Sequence, residues 1–109
     1  MSNAKEIARL NDLFRTAWGV GGTVLQTEGI STLPIVDQSK IREKVELFKD
    51  FNEENDPHGE HDFGAFDHEG EKIFWKIDYY SPDMKGGSED PFDPSQTRRV
   101  LTIMLANEY

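Results

Sequence analysis

Apolar side chains recur at intervals of three and four residues in two segments of the chain, which is the spacing of one helix face. The first segment predicts a helix from Asn3 to Trp18, and the second predicts a helix from Asp37 to Asn52. Between them, Gly21 and Gly22 break the chain before the β-prone run Thr23–Thr27. The first half of the chain is therefore predicted to fold as helix, strand and helix.

The next segment alternates apolar and polar residues and predicts a β-hairpin. Its strands run from Asp62 to His68 and from Lys72 to Tyr80, and Glu69-Gly70 forms the turn. A two-residue turn at this position places Trp75 opposite Gly64, so that the large indole covers a residue without a side chain. The fit between these two residues supports the predicted register.

The chain then continues through a long polar loop into an apolar segment. The loop, Ser81–Pro94, is rich in proline and glycine and is longer than most connections within a domain. Asp93 followed by Pro94 is typical of the start of a helix. Because the apolar residues of the Val100–Leu105 segment recur at helical spacing, this last segment is predicted to be a helix.

Length and composition favour one α+β domain covering residues 1–109, since 109 residues suit a single core. The predicted order is α-β-α-β-β-α, with a small antiparallel sheet, including a central β-hairpin, packed against helices. The absence of cysteine excludes disulfides, thiolate zinc sites and cysteine nucleophiles. No run reaches transmembrane length and no secretory signal pattern is present, so we expect a cytoplasmic protein without a membrane partner.

The net charge of −9 comes from the middle of the chain. Residues 50–93 contain fourteen acids and only three bases, Lys72, Lys76 and Lys85. A negative surface repels phosphate backbones, so direct binding to nucleic acid is not expected. The partner predicted from this charge is a protein with a basic surface.

The decapeptide NDPHGEHDFG, residues 55–64, begins as a loop and leads into the hairpin. Extending the hairpin register past its first strand sets His61 across from Asp78 and predicts a histidine–carboxylate pair at the sheet edge. Residues close to this pair define a candidate binding face. Its members are His58, Glu60, His61, Asp62, Asp78 and Tyr80.

Three interpretations of this face remain open. His58, His61 and Asp78 could ligate a divalent metal, the one cofactor considered, although their spacing matches no diagnostic motif. His61 could act as a general acid or base oriented by Asp78, but no recognisable nucleophile lies nearby. The third interpretation is structural, with Asn55 and Asp56 forming a turn and His61 and Asp78 satisfying each other.

Three motifs along the chain carry a resemblance. They are NDPHGEHDFGAF (Asn55–Phe66), FWKIDYY (Phe74–Tyr80) and TRRVLTIMLANEY (Thr97–Tyr109), preceded by LNDLFR near the start. Together they resemble an uncharacterised bacterial family, domain-of-unknown-function family 3768. The resemblance implies a small, intracellular, free-standing domain of alphaproteobacteria that is often encoded on plasmids. It implies no activity and no catalytic residue.

The hypothesis favoured by these observations is a non-enzymatic interaction module with an acidic, histidine-containing face. One alternative is an enzyme that depends on a divalent metal or on a His–Asp pair. Because small acidic proteins of mobile elements can imitate the charge of DNA, the other alternative is an acidic inhibitor of a defence or DNA-binding protein.

Overall fold

A computed structural model describes residues 3–17 and 22–109. The α+β class is confirmed: within these described residues, three helices pack on one four-stranded sheet. The helices are α1 (Ala4–Thr16), α2 (Glu28–Ser31) and α3 (Ile35–Glu46), and the strands are β1 (Gly22–Gln26), β2 (Phe63–His68), β3 (Glu71–Tyr80) and β4 (Arg98–Leu105). Short 3-10 turns lie at Pro94–Gln96 and Ala106–Glu108.

The N-terminal prediction is confirmed within the described residues. Helix α1 buries Ile7, Ala8 and Phe14 along one side, as the apolar spacing requires. Strand β1 overlaps the predicted run and begins one residue earlier, at Gly22. The predicted end of the first helix at Trp18 lies outside the described residues.

The hairpin prediction is also confirmed, including its register. Trp75 lies opposite Gly64, and the turn consists of Glu69 and Gly70. Both turn residues have positive φ, 50° and 83°, as a type I′ turn requires. A Cβ on Gly64 would overlap the indole of Trp75, which explains why glycine stands there.

The predicted C-terminal helix is wrong, because this segment forms strand β4. The sheet order is β1-β4-β3-β2, so β4 lies inside the sheet, antiparallel to β3 and parallel to β1. Apolar residues at both phases of the strand, Val100, Leu101, Ile103 and Met104, are buried, which is typical of an inner strand. The sheet is therefore mixed, not purely antiparallel. Asp93 does cap a helical turn through Ser95 N, but that turn ends after Gln96.

Helix α3 starts at Ile35, two residues before the predicted start, and ends at Glu46, six residues before the predicted end. An arginine from α1 explains this early end. Arg15 Nη1 donates hydrogen bonds to the carbonyls of Val45, at 2.7 Å, and Glu46, at 3.0 Å. These carbonyls belong to the last turn, where a helix leaves acceptors without internal partners. Phe48 still reaches the core after the helix has ended.

The two faces of the sheet have different surroundings. One face carries Ile73, Trp75 and Ile77 of β3 and packs against the three helices to form the core. Alternation along β3 places Phe74, Lys76, Asp78 and Tyr80 on the other face. No helix in the described part of the chain is long and apolar enough to cross a membrane.

Candidate functional site

The decapeptide loop is organised by the side chain of Asp56, which is 8% exposed. Its Oδ1 accepts hydrogen bonds from the backbone N–H groups of Glu60, at 2.9 Å, and His61, at 3.1 Å. Gly59 lies within this turn at φ 69°, a conformation that favours glycine. The polar-turn interpretation is therefore correct for the first half of the decapeptide.

His61 fastens this loop to helix α1. Its Nδ1 lies 3.0 and 3.1 Å from the two carboxylate oxygens of Asp12, and its Nε2 lies 3.8 Å from Oδ2 of Asp56. The imidazole stacks on Phe51, with ring centroids 3.9 Å apart and planes within 2° of parallel. Because both ring nitrogens face carboxylates, His61 is positioned to hold the loop in place.

The predicted pairing of His61 with Asp78 is wrong. Regular pairing of β2 with β3 begins at Phe63, preceded by one hydrogen bond from Ile77 N to the carbonyl of Asp62, at 2.8 Å. At His61 the backbone adopts a positive φ of 57° and turns the side chain toward α1 on the helix-covered face. Asp78 lies on the opposite face, where its carboxylate accepts a hydrogen bond, as part of an ion pair, from the Lys76 ammonium at 2.7 Å. That hydrogen bond raises the pKa of the Lys76 ammonium.

The remaining members of the predicted face are also divided between different parts of the surface. Tyr80 lies on the face of the sheet opposite the helices and forms a β-bridge with Gly87, whereas His58 is exposed on the loop. The predicted ligands His58, His61 and Asp78 are not brought together, since His61 faces α1 and Asp78 lies on the opposite face. Among the described residues, no group of three or more His, Asp or Glu side chains is placed to hold a metal ion.

Sequence reasoning missed a buried polar network beside the loop. Asn11 of α1 is fully buried, and its amide donates to the Tyr79 hydroxyl, at 2.8 Å, and to the Glu60 carbonyl, at 3.0 Å. The Tyr79 hydroxyl donates to Oε1 of Glu60 at 2.9 Å. Burial raises the pKa of the Tyr79 phenol, so it stays a protonated donor at neutral pH. The network ties the decapeptide loop to α1 and β3.

Arg99 extends the network to the 81–94 loop. Its Nε donates to Oδ1 of Asn11 at 2.6 Å, and its Nη2 donates to the carbonyl of Pro91 at 2.5 Å. Arg99 is 5% exposed, and burial lowers the pKa of its guanidinium. One signal for this network was present in the sequence, because Asn11 interrupts the apolar stripe between Ile7 and Phe14.

The loops 50–62 and 81–94, together called the acidic end, lie at the same end of the sheet, because β2 and β4 start there and β3 ends there. They contain ten carboxylates and one base, Lys85, whereas the rest of the chain has eleven acids and eleven bases. The whole net charge of −9 therefore belongs to these loops. Burial, reinforced by the neighbouring charge of Glu60, raises the pKa of Asp62.

Fold and site together define an α+β domain with one acidic end. A family model described as a protein of unknown function (DUF3768) matches residues 26–108, so the chain belongs to that family. The predicted family is thereby confirmed. No curated protein and no solved structure matches the chain.

Proposed function

We propose that this chain is a non-enzymatic, cytoplasmic protein-interaction domain whose acidic end binds a partner with a basic surface. The observation that carries the proposal is the concentration of the entire net charge in two loops at one end of the sheet. A field of one sign at one end steers an oppositely charged partner and orients its approach.

The acidic end also offers apolar contact area. Met84 and Phe92, both in the 81–94 loop, keep 48% and 38% of their surface exposed. Protein interfaces combine a few apolar or aromatic anchors with a polar rim. An exposed methionine and phenylalanine in an acidic loop suit a basic protein surface with apolar patches better than they suit a metal ion.

The geometry around His61 favours binding over catalysis. A general base needs a ring nitrogen that can reach a substrate proton. Both nitrogens of His61 face the carboxylates of Asp12 and Asp56, and the ring is stacked on Phe51. This arrangement supports a structural role for the histidine, as the fastening that presents the 50–62 loop.

Two triple variants with the same net charge test the proposal. In the loop variant, the exposed acids Glu53, Glu54 and Glu89 are changed to glutamine. In the control variant, the exposed acids Glu28, Glu43 and Glu71, which lie outside the acidic end, are changed to glutamine. Each variant is immobilised and incubated with host-cell lysate, and the captured proteins are quantified by mass spectrometry at low and high salt.

We expect the wild type and the control variant to capture a basic protein in a salt-sensitive manner. The loop variant should not capture this protein. A further variant, Met84→Ser with Phe92→Ser, should weaken the same capture without changing its salt dependence. If the loop and control variants capture the same proteins to the same extent, the acidic end is not the contact surface.

A further inference from the structure

Arg99 is a buried cation without an acidic partner in contact. Among the described residues, no carboxylate lies within ion-pair distance of its guanidinium, although the chain has 21 acids. Its contacts are the amide of Asn11, the carbonyl of Pro91 and the ring of Tyr79, whose centroid lies 5.3 Å from Cζ. The carboxylate of Glu60 accepts a hydrogen bond from the Tyr79 hydroxyl and has no direct contact with the guanidinium. An unpaired buried charge is costly, which makes its retention informative.

A cavity of about 420 Å³, which Arg99 helps to line, lies between α1 and the segment that leads into β4. Its volume falls within the range of small-molecule sites. One wall is apolar and consists of Leu10, Leu13, Phe14 and Ala17. The facing wall is formed by Pro94, Thr97, Arg98 and Arg99, and Arg99 is the cation on the same face of the sheet as α1.

We propose that this cavity binds a small organic carboxylate with an apolar body, such as an arylacetic acid. The carboxylate would lie against the guanidinium of Arg99, a planar donor group that matches its two oxygens. The apolar body would pack on Leu13, which is 53% exposed, and on the other side chains of the α1 wall. The site borders the acidic end, since Pro94 of the 81–94 loop lines the cavity and Arg99 donates to Pro91 of the same loop, so the anion would be held there by the guanidinium against the charge of the neighbouring carboxylates.

Phenylacetate is the probe, and isothermal titration calorimetry with the wild-type chain is the measurement. Phenylacetamide has the same ring without the charge, and inorganic phosphate has the charge without the ring. We expect saturable binding of phenylacetate and binding at least about 10-fold weaker for both controls, a factor equal to about 1.4 kcal/mol. No saturable binding of phenylacetate, or equal binding of phosphate, would overturn the proposal.

A matched pair of surface variants locates the site without disturbing Arg99. Leu13→Glu puts a carboxylate on the apolar wall, whereas Leu47→Glu puts the same charge on a side chain that is 61% exposed outside this cavity. Leu13→Glu should weaken phenylacetate binding at least about 10-fold, and Leu47→Glu less than about twofold. Equal effects of the two variants would contradict the assignment, and circular dichroism verifies that both remain folded.

Discussion

Arg15 and Arg99 are both buried guanidinium groups, 3% and 5% exposed, but their surroundings differ. Arg15 pairs with Asp12 at 3.0 Å, donates to two carbonyls at the end of α3 and lies over the rings of Phe51 and Trp75. Its Nε finds no hydrogen-bond partner among the described residues. Arg99 has two neutral acceptors and one aromatic ring, but no carboxylate in contact among the described residues. Each arginine lines a cavity, of about 360 Å³ at Arg15 and about 420 Å³ at Arg99, so the compensation of the charge is what differs.

The difference shows how the same side chain can serve structure in one place and recognition in another. The charge of Arg15 is compensated inside the fold, where it joins α1 to α3 and, through Asp12, to His61. The charge of Arg99 is left for an anion from outside. Buried charges that lack a partner mark functional sites more often than compensated ones do.

The largest expected effect is the loss of stability in Arg15→Met. The variant removes the ion pair to Asp12 and leaves the carbonyl of Val45 buried without its donor. The two hydrogen bonds from the charged guanidinium to backbone carbonyls, at about 1.5 kcal/mol each, put the cost at about 3 kcal/mol, whereas Asp12 is 41% exposed and stays in contact with water. Urea denaturation with a common slope measures the loss. A loss below about 1 kcal/mol would mean that Arg15 does not hold α1 and α3 together.

The second effect concerns the fastening of the decapeptide loop. His61→Ala should destabilise the fold by about 1.5 kcal/mol, because it removes the bond to Asp12 and the stacking on Phe51. Asp78→Asn is the control and should cost less than about 0.5 kcal/mol, since its ion pair with Lys76 is partly exposed. The reverse order, measured by urea denaturation, would contradict the role of His61 in fastening the loop.

The third effect is the loss of stability in Arg99→Met, which compares Arg99 directly with Arg15. Bonds to Asn11 and Pro91 are lost, but an uncompensated buried charge is removed at the same time. The net cost should therefore be about 1 kcal/mol, less than half of the cost of Arg15→Met. If thermal and urea unfolding show equal losses for the two variants, the charge of Arg99 is as well compensated as that of Arg15.

The smallest effect is a gain in stability. The pKa of Asp62 is raised in the folded state, mainly by burial, so its ionised form disfavours folding at neutral pH. Asp62→Asn should stabilise the protein by up to about 0.5 kcal/mol at neutral pH. The gain should disappear as the pH falls below the pKa of the unfolded carboxyl, where Asp62 is protonated in both states.

Asp83→Asn is the matched control for this pH dependence. A hydrogen bond from the Ser81 hydroxyl lowers the pKa of Asp83, so its ionised form favours folding, and this stability is present at neutral pH and lost in acid. The control should therefore show no gain at neutral pH. A gain of the same size in both variants would indicate a general effect of net charge.

Local patterns predicted the elements whose partners are close in sequence. The hairpin depends on a two-residue turn and on Trp75 facing Gly64, and both can be derived from spacing alone. Strand β4 could not be assigned in this way. Its apolar run fits a helix or an inner strand equally well, and its parallel pairing with β1 joins residues far apart in the sequence.

The candidate site was predicted only in part, for the same reason. The turn around Asp56 in the decapeptide follows from its residue types. The carboxylate that binds His61 belongs to Asp12, 49 residues away on another element. Likewise, the carbonyl of Val45 at the end of α3 is bound by Arg15, which belongs to α1. Contacts of this kind depend on how the helices dock, which a single sequence does not specify.

The central claim is that Arg15 is compensated within the fold and that Arg99 is open to an external carboxylate. Nitrogen-15 NMR of the arginine Nε–Hε groups, recorded during a phenylacetate titration, tests it most directly. The account predicts a saturable shift of the Arg99 resonance and a constant Arg15 resonance. A constant Arg99 resonance at saturating phenylacetate, or equal shifts of both resonances, would contradict it.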